Sequence, residues 1–284
     1  MKRPEVTMEN YQAVYDYYDQ RGPNTNFAHL GHFLMRKAFH PDVSFAPDAQ
    51  QVIAEKLSNG AQVIIVTNHD SDVDQYNLAS MVNTKGVFAP MVGKTVIMAK
   101  PQLFSMAGKA GRLQRMAIDE LGSYPVFRAS DGVGEKGSPQ RFLQRRASDS
   151  SIQLGLNKTG RDKYHLAGFP EGRRTLVARV DDTGFTHPGE DHTKVRTLSR
   201  GFGILYENLL DLEREVLVVS AGMAYGHDDS YRNLKDPTVF IGQPIVEKIS
   251  DPTEFTEQLR ANMQRDLTMA YDIHSQRPPT PAEQ

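Results

Sequence analysis

Val63-Ile64-Ile65-Val66-Thr67-Asn68-His69-Asp70-Ser71-Asp72-Val73-Asp74 is the stretch around which this chain is organised. A short apolar run ends abruptly at a histidine, and an aspartate stands five positions further on. From Gln75 to Val82 the apolar side chains switch to helical spacing. The pattern predicts a buried strand, a sharp turn carrying an imidazole, then a helix. An imidazole at such a turn faces a cleft, and an aspartate in the following turn is placed to orient it. A hydroxyl can lose its proton there.

Outward from that turn, apolar runs alternate with helical patterns. Strands are predicted at residues 62–67, 95–99, 124–127, 164–169, 216–221 and 239–242. Helices are predicted at 103–121, 139–156, 202–212 and 252–274, and a helix at 48–57 is closed by Asn59-Gly60. This order favours an α/β fold with a largely parallel central sheet flanked by helices. Before it, residues 6–20 look helical up to the Arg21-Gly22-Pro23-Asn24 breaker. Phe27, Leu30, Leu34 and Phe39, helped by Phe33 and Met35, then give a second helix an apolar stripe that reads as core ahead of its alternative, a face that docks on a membrane monolayer. His29 and His32, one turn apart without carboxylates, read as structural or surface residues. The division expected is an N-terminal helical segment at 1–48, an α/β domain at 49–274 and a disordered tail at 275–284 with three prolines.

Composition narrows the function. With 39% hydrophobic and 24% charged residues, the 284-residue chain has material for a real core. The absence of cysteine excludes disulfides, thiolate metal sites and cysteine nucleophiles. A formal net charge of −2 argues against a nucleic-acid binder. Yet residues 85–146 hold eleven basic side chains against four acidic ones, which reads either as a solvated basic face or as a positive field that attracts phosphate-bearing substrates or an anionic membrane surface. No apolar run approaches the ~18–20 residues that span a bilayer, and the N-terminus has no signal-peptide pattern. The expectation is a cytoplasmic protein, at most peripheral to a membrane. In the loop predicted at 177–194, His187, Glu190, Asp191 and His192 match no metal-ligand spacing and read as solvated.

A second motif is sharper than the first. Phe169-Pro170-Glu171-Gly172 ends a predicted strand and runs into Arg173-Arg174-Thr175. Ligands of α/β sheets gather at the carboxyl ends of strands, so His69 and the two arginines can share one cleft. Here the chain resembles the glycerolipid acyltransferases, the family of glycerol-3-phosphate and 1-acylglycerol-3-phosphate O-acyltransferases. Asn68-His69 with Asp74 looks like the family's N-H-x4-D block. Tyr124-Pro125-Val126-Phe127-Arg128 is similar to its second block, a short strand ending in arginine. Residues 169–175 resemble F-P-E-G-T-R-S, and residues 216–221 resemble the apolar fourth block. Met98-Ala99-Lys100 and Ile241-Gly242-Gln243-Pro244-Ile245 match lesser features, and the likeness covers roughly residues 50–260. Arg173 stands where the family usually has threonine, which adds a cation to the acceptor site. Ser220-Ala221-Gly222 stands where a proline is common.

The resemblance implies a reaction without metal, cofactor or covalent intermediate. His69 would be the general base, oriented by Asp74. The acceptor hydroxyl would attack an acyl thioester of coenzyme A or acyl carrier protein directly. Arg174, with Arg128 and Lys100, would hold the acceptor's phosphate, beside Arg173 and Gly172, while Glu171 would position the arginines. Backbone N–H groups at the helix start after His69 are candidate oxyanion donors. The acceptor is left between 1-acylglycerol-3-phosphate and glycerol-3-phosphate. Two readings of another class compete: a metal hydrolase built on His69, Asp70, Asp72 and Asp74, and an inactive membrane-surface adaptor.

Overall fold

The computed structural model describes residues 3–71, 73–84, 86–127, 138–172, 179–180, 186–187, 190–212, 215–225 and 236–277. Seven strands form one sheet: β1 (Asp42–Phe45), β2 (Gln62–Thr67), β3 (Thr95–Ala99), β4 (Ser123–Pro125), β5 (His165–Gly168), β8 (Val216–Ala224) and β9 (Thr238–Ile241). Their order across the sheet is β1-β9-β8-β2-β5-β3-β4. From β8 to β4 every pairing is parallel, whereas β9 runs antiparallel to β8, with β1 parallel to β9. A separate antiparallel pair joins β6 (Arg179–Val180) to β7 (Thr186–His187).

The sequence of β2 explains its central place. Ile64 and Val66 point into one apolar cluster and Val63 and Ile65 into another, so both faces of the sheet are covered. Such a strand needs an unbroken apolar run rather than alternation. β8 is built the same way, with Val216 and Val218 on one face and Leu217 and Val219 on the other. Helices α1 (Tyr11–Asp19), α6 (Pro139–Leu156), α7 (Arg200–Leu210) and α8 (Pro252–Ser275) contribute to the first cluster. Helices α2 (Thr25–Ala38), α3 (Ala49–Ser58) and α4 (Asp74–Thr84) contribute to the second, and α5 (Gly108–Glu120) lies beside β4.

Local signals set the helix ends. Ser138 accepts the Arg141 N–H ahead of Pro139, and Asp251 accepts those of Thr253 and Glu254 ahead of Pro252. Both pair a side-chain cap with proline at the first helical position. The expected helix at 103–121 is instead a 3-10 turn (Pro101–Phe104) followed by α5, because Gly108 takes a φ of 78° that a continuous helix excludes. The first helix starts only at Tyr11, where the Asn10 side chain is engaged with the Glu5 carbonyl. The N-terminal segment is not wholly helical either, since Asp42–Phe45 joins the sheet as an edge strand. The tail at 278–284 lies outside the described residues.

The apolar stripe of α2 is not core. Leu30, Phe33 and Leu34 are all more than half exposed, while the buried face consists of Ala28 and Gly31. Small residues let α2 lie close against its neighbours: a Cβ on Gly31 would meet the Leu121 side chain at 2.9 Å. His32 completes that face through Nδ1, 2.9 Å from the Ala79 carbonyl of α4. Leu30, Phe33 and Leu34 therefore point outward, while Phe27, Met35 and Phe39 are half-buried. No helix among the described residues is long and apolar enough to cross a membrane.

Candidate active site

Three adjacent parallel strands, β8, β2 and β5, deliver the site at their carboxyl ends. β8 outruns β2 by three residues, and the side chain of Asn68 extends the pairing into that gap. Its Oδ1 accepts the Met223 N–H at 2.7 Å, and its Nδ2 donates to the Met223 carbonyl at 3.0 Å and to Asp70 Oδ2 at 2.9 Å. Asparagine's paired donor and acceptor suit this role, and the clamp fixes the turn that carries His69.

His69 Nδ1 lies 2.9 Å from Asp74 Oδ2, and the ring stacks on Phe169 with centroids 4.2 Å apart. Asp74 opens α4 and is fully buried. Its Oδ2 also accepts the N–H groups of Asp70 at 2.7 Å and Ser71 at 2.8 Å, and its Oδ1 accepts the phenol of Tyr225. Tyr225 in turn accepts from Asn77 Nδ2 at 3.0 Å. Four donors thus fix the carboxylate, and its bond to Nδ1 keeps the proton on that nitrogen. The lone pair is left on Nε2, where a base needs it.

The Phe169-Pro170-Glu171-Gly172 turn meets His69 from β5. Gly172 takes a φ of 73°, a left-handed conformation suited to glycine, and its N–H donates to the Phe169 carbonyl at 3.0 Å. This turns Glu171 inward, where Oε1 accepts the His69 N–H at 3.2 Å and Oε2 the Arg196 N–H at 3.1 Å. Burial pushes the Glu171 carboxyl up to about 7, against the opposing pull of those two N–H groups and the Arg196 guanidinium. Glu171 therefore holds the backbone on either side of it. The arginines it was expected to position, Arg173 and Arg174, lie outside the described residues, as does Arg128. Lys100 follows Ala99 at the end of β3, the strand next to β5.

Three of the candidate oxyanion donors after His69 are engaged elsewhere, and the Asp72 N–H lies outside the described residues. The N–H groups of Asp70 and Ser71 are committed to Asp74, and that of Val73 to Ser71 Oγ at 3.0 Å. A carboxylate at the first helical position satisfies the helix start itself, so those donors are not aimed at a substrate. The hydrolase reading needs His69, Asp70 and Asp74 to face one ion. Instead His69 and Asp74 face each other, and the Asp70 carboxylate accepts from Asn68. Asp72 lies outside the described residues, among which no group of three possible metal-ligating side chains gathers. In the 190–194 stretch, Asp191 is engaged with Thr193 and Lys194, and Glu190 with the Arg196 guanidinium at 2.5 Å.

Two functional neighbours escaped sequence reading, Tyr225 and Arg196. Tyr225 directly follows β8, so its position just beyond a buried strand is the one signal that was available. Arg196 stands after an aperiodic stretch and carries none. The departure in the fourth block is a packing feature. Ser220 Oγ donates to Asp266 Oδ2 at 2.5 Å, and a Cβ on Gly222 would meet the Leu267 backbone nitrogen at 2.2 Å. Serine and glycine here let α8 lie directly on β8.

The fold and site together define an α/β protein with a carboxylate-oriented histidine at the strand ends. A family model described as Acyltransferase matches residues 50–222, which include the His69 turn, the Glu171 turn and most of β8. The chain belongs to this family, that of the glycerolipid acyltransferases, and is an acyltransferase. No curated protein matches the chain closely enough to count as a relative.

Proposed function

We propose that the chain is an O-acyltransferase that moves a fatty acyl group from a thioester of coenzyme A or acyl carrier protein to 1-acylglycerol-3-phosphate, a step of phospholipid synthesis. The observation that carries this reading is the His69–Asp74 pair, 2.9 Å apart and locked by three further donors, beside the Phe-Pro-Glu-Gly turn. In this mechanism Nε2 of His69 takes the hydroxyl proton as the acceptor oxygen attacks the thioester carbonyl carbon. The tetrahedral oxyanion then collapses, the C–S bond breaks, and the proton passes from His69 to the departing thiolate. Asp74 keeps the imidazole in the required tautomer and stabilises its charged form. Lys100, Arg128, Arg173 and Arg174 supply positive charge for the acceptor's phosphate.

A lipid acceptor calls for contact with a bilayer, and α2 has the composition for it. Leu30, Phe33 and Leu34 are exposed beside Arg36 and Lys37, and the helix has no acidic residue. Such a face suits the boundary of an anionic membrane. In flotation with phosphatidylglycerol-containing vesicles, the double variant Phe33→Ser, Leu34→Ser is expected to lose binding about tenfold. Equal binding by both proteins would remove α2 from this role.

Purified protein incubated with acyl-CoA or acyl carrier protein and each acceptor, with products read by mass spectrometry, tests the reaction. A diacylglycerol-3-phosphate product is expected. A monoacyl product from glycerol-3-phosphate alone would reassign the acceptor, and transfer to neither would overturn the reading.

A further inference from the structure

Tyr225 stands outside the family's sequence blocks, 151 positions from Asp74, yet its phenol reaches the carboxylate. Asp74 Oδ2 carries the imidazole and two N–H groups, whereas Oδ1 carries Tyr225. We propose that Tyr225 is a positioning residue that sets the proton affinity of His69 by drawing charge towards Oδ1 of Asp74. The proposal rests on the reading of His69 as general base and extends the two-membered relay to four groups, in the order Asn77, Tyr225, Asp74, His69.

The physical argument is a competition for one negative charge. A carboxylate that donors surround stabilises an imidazolium less than a bare one does. Burial and the charge of Asp74 hold the Tyr225 phenol well above its ordinary range, so it stays protonated and donating at neutral pH. Asn77 Nδ2 occupies the phenol oxygen as a donor, and of the two acceptors that the hydroxyl reaches, Asp74 Oδ1 and Met223 Sδ, the charged carboxylate is the stronger. The hydroxyl thus keeps the base from holding its proton too tightly to release it to the leaving thiolate. Among the described residues, the other ionisable groups near the pair are Asp70 on the same turn, Glu171 on the β5 turn and Arg196 behind it. The described contacts of those three to the pair fall on Asn68 and on backbone N–H groups, not on Oδ1. Glu171 is present in the wild type and in a Tyr225 variant alike, so its own titration cancels in the difference between them.

The test is Tyr225→Phe in the full chain, read in two ways. Imidazole titration by NMR, with His69→Ala to assign the signal, needs no substrate. The variant is expected to titrate at higher pH, a threefold to tenfold rise in proton affinity, on the order expected for one charge-assisted bond. In the pH–rate profile, the acid limb of kcat/KM moves up by the same amount, while KM for the thioester stays constant. A merely structural tyrosine would leave the imidazole titration unmoved, or lower it as Asp74 drifts away, and either result overturns the proposal. Should Tyr225→Phe fail to fold, 3-fluorotyrosine at position 225 keeps the shape with a more acidic phenol. The titration must then move to lower pH, and no movement overturns the proposal. A shifted titration without acyl transfer to any acceptor would keep the coupling and remove the reaction, so the two failures are distinguishable.

Discussion

Two histidines on neighbouring strands show what the two ends of this sheet are for. His69 follows β2 at its carboxyl end, and His165 opens β5 at its amino end. Their exposures, 9% and 8%, do not tell them apart. Their partners do. His165 Nδ1 accepts the Val63 N–H at 3.1 Å, which requires a bare nitrogen and places the ring proton on Nε2. Burial, with the Lys94 charge acting in the same direction, pushes its titration down to about 4. At His69 a carboxylate faces Nδ1, so the tautomer is reversed and Nε2 is the free base. An imidazole that completes a backbone ladder is a fixed neutral acceptor, whereas one that faces a carboxylate can carry a proton in transit.

The largest effect is expected at His69. Replacement by alanine is expected to lower kcat about 10²–10⁴-fold, the range for loss of a positioned base, with the fold intact by circular dichroism. A loss under tenfold would mean that the proton leaves by another route. His165→Ala should act on stability instead. It leaves the Val63 N–H buried without an acceptor, at a cost of about 1–3 kcal/mol in denaturant melts, while the folded protein keeps kcat within about twofold. His165→Asn supplies a replacement oxygen and should recover part of that loss. If His165→Ala lost activity without losing stability, the two ends would not be separate in function.

The histidine also predicts a pH dependence. Its folded titration lies near 4, below the ordinary 6.5, so the unfolded chain binds the proton more readily. The stabilisation is present above about 6.5 and is lost as pH falls towards 4, by roughly 2–3 kcal/mol relative to His165→Asn. Thermal melts of both proteins from pH 4 to 7 measure it, and parallel profiles would refute the assigned tautomer.

What could be read from the chain divides along the same lines. β2, β3 and α6 are legible to the residue because a long apolar run, or a Ser-Pro start, marks them locally. β1 has four residues and little apolar character, so only its pairing with β9 reveals it. α2 has a legible stripe whose direction is not, because the small residues Ala28 and Gly31 decided which side approached the body. At the site, the geometry of His69 and Asp74 is legible since one turn spans them. Tyr225 reaches the pair only through strand order, since no local pattern encodes a contact between β8 and β2, and Arg196 meets Glu171 from a stretch with no regular element. Arg128, Arg173 and Arg174 rest on motif alone.

A second pair of residues sharpens the lesson with a smaller effect. Asp74 and Asp266 are both fully buried aspartates, but Asp74 has four donors. Asp266 has Ser220 on Oδ2, while its Oδ1 has no hydrogen-bond partner and the guanidinium of Arg265 stands 3.8 Å away. Burial accordingly pushes Asp266 up to about 6. Its folded state holds a proton that the unfolded chain releases, so the sign is opposite to that of His165. The stabilisation is full below the ordinary 3.8 and is lost as pH rises towards 6. Asp266→Asn removes the ionisation and should melt above the wild type beyond pH 6, by on the order of 1–2 kcal/mol, but not at pH 4. Because His165 gains stability over the range in which Asp266 loses it, the wild-type profile is flattened and each slope emerges only in its own variant. A wild-type advantage that is constant across pH would show that Asp266 stays charged and that Ser220 alone satisfies it.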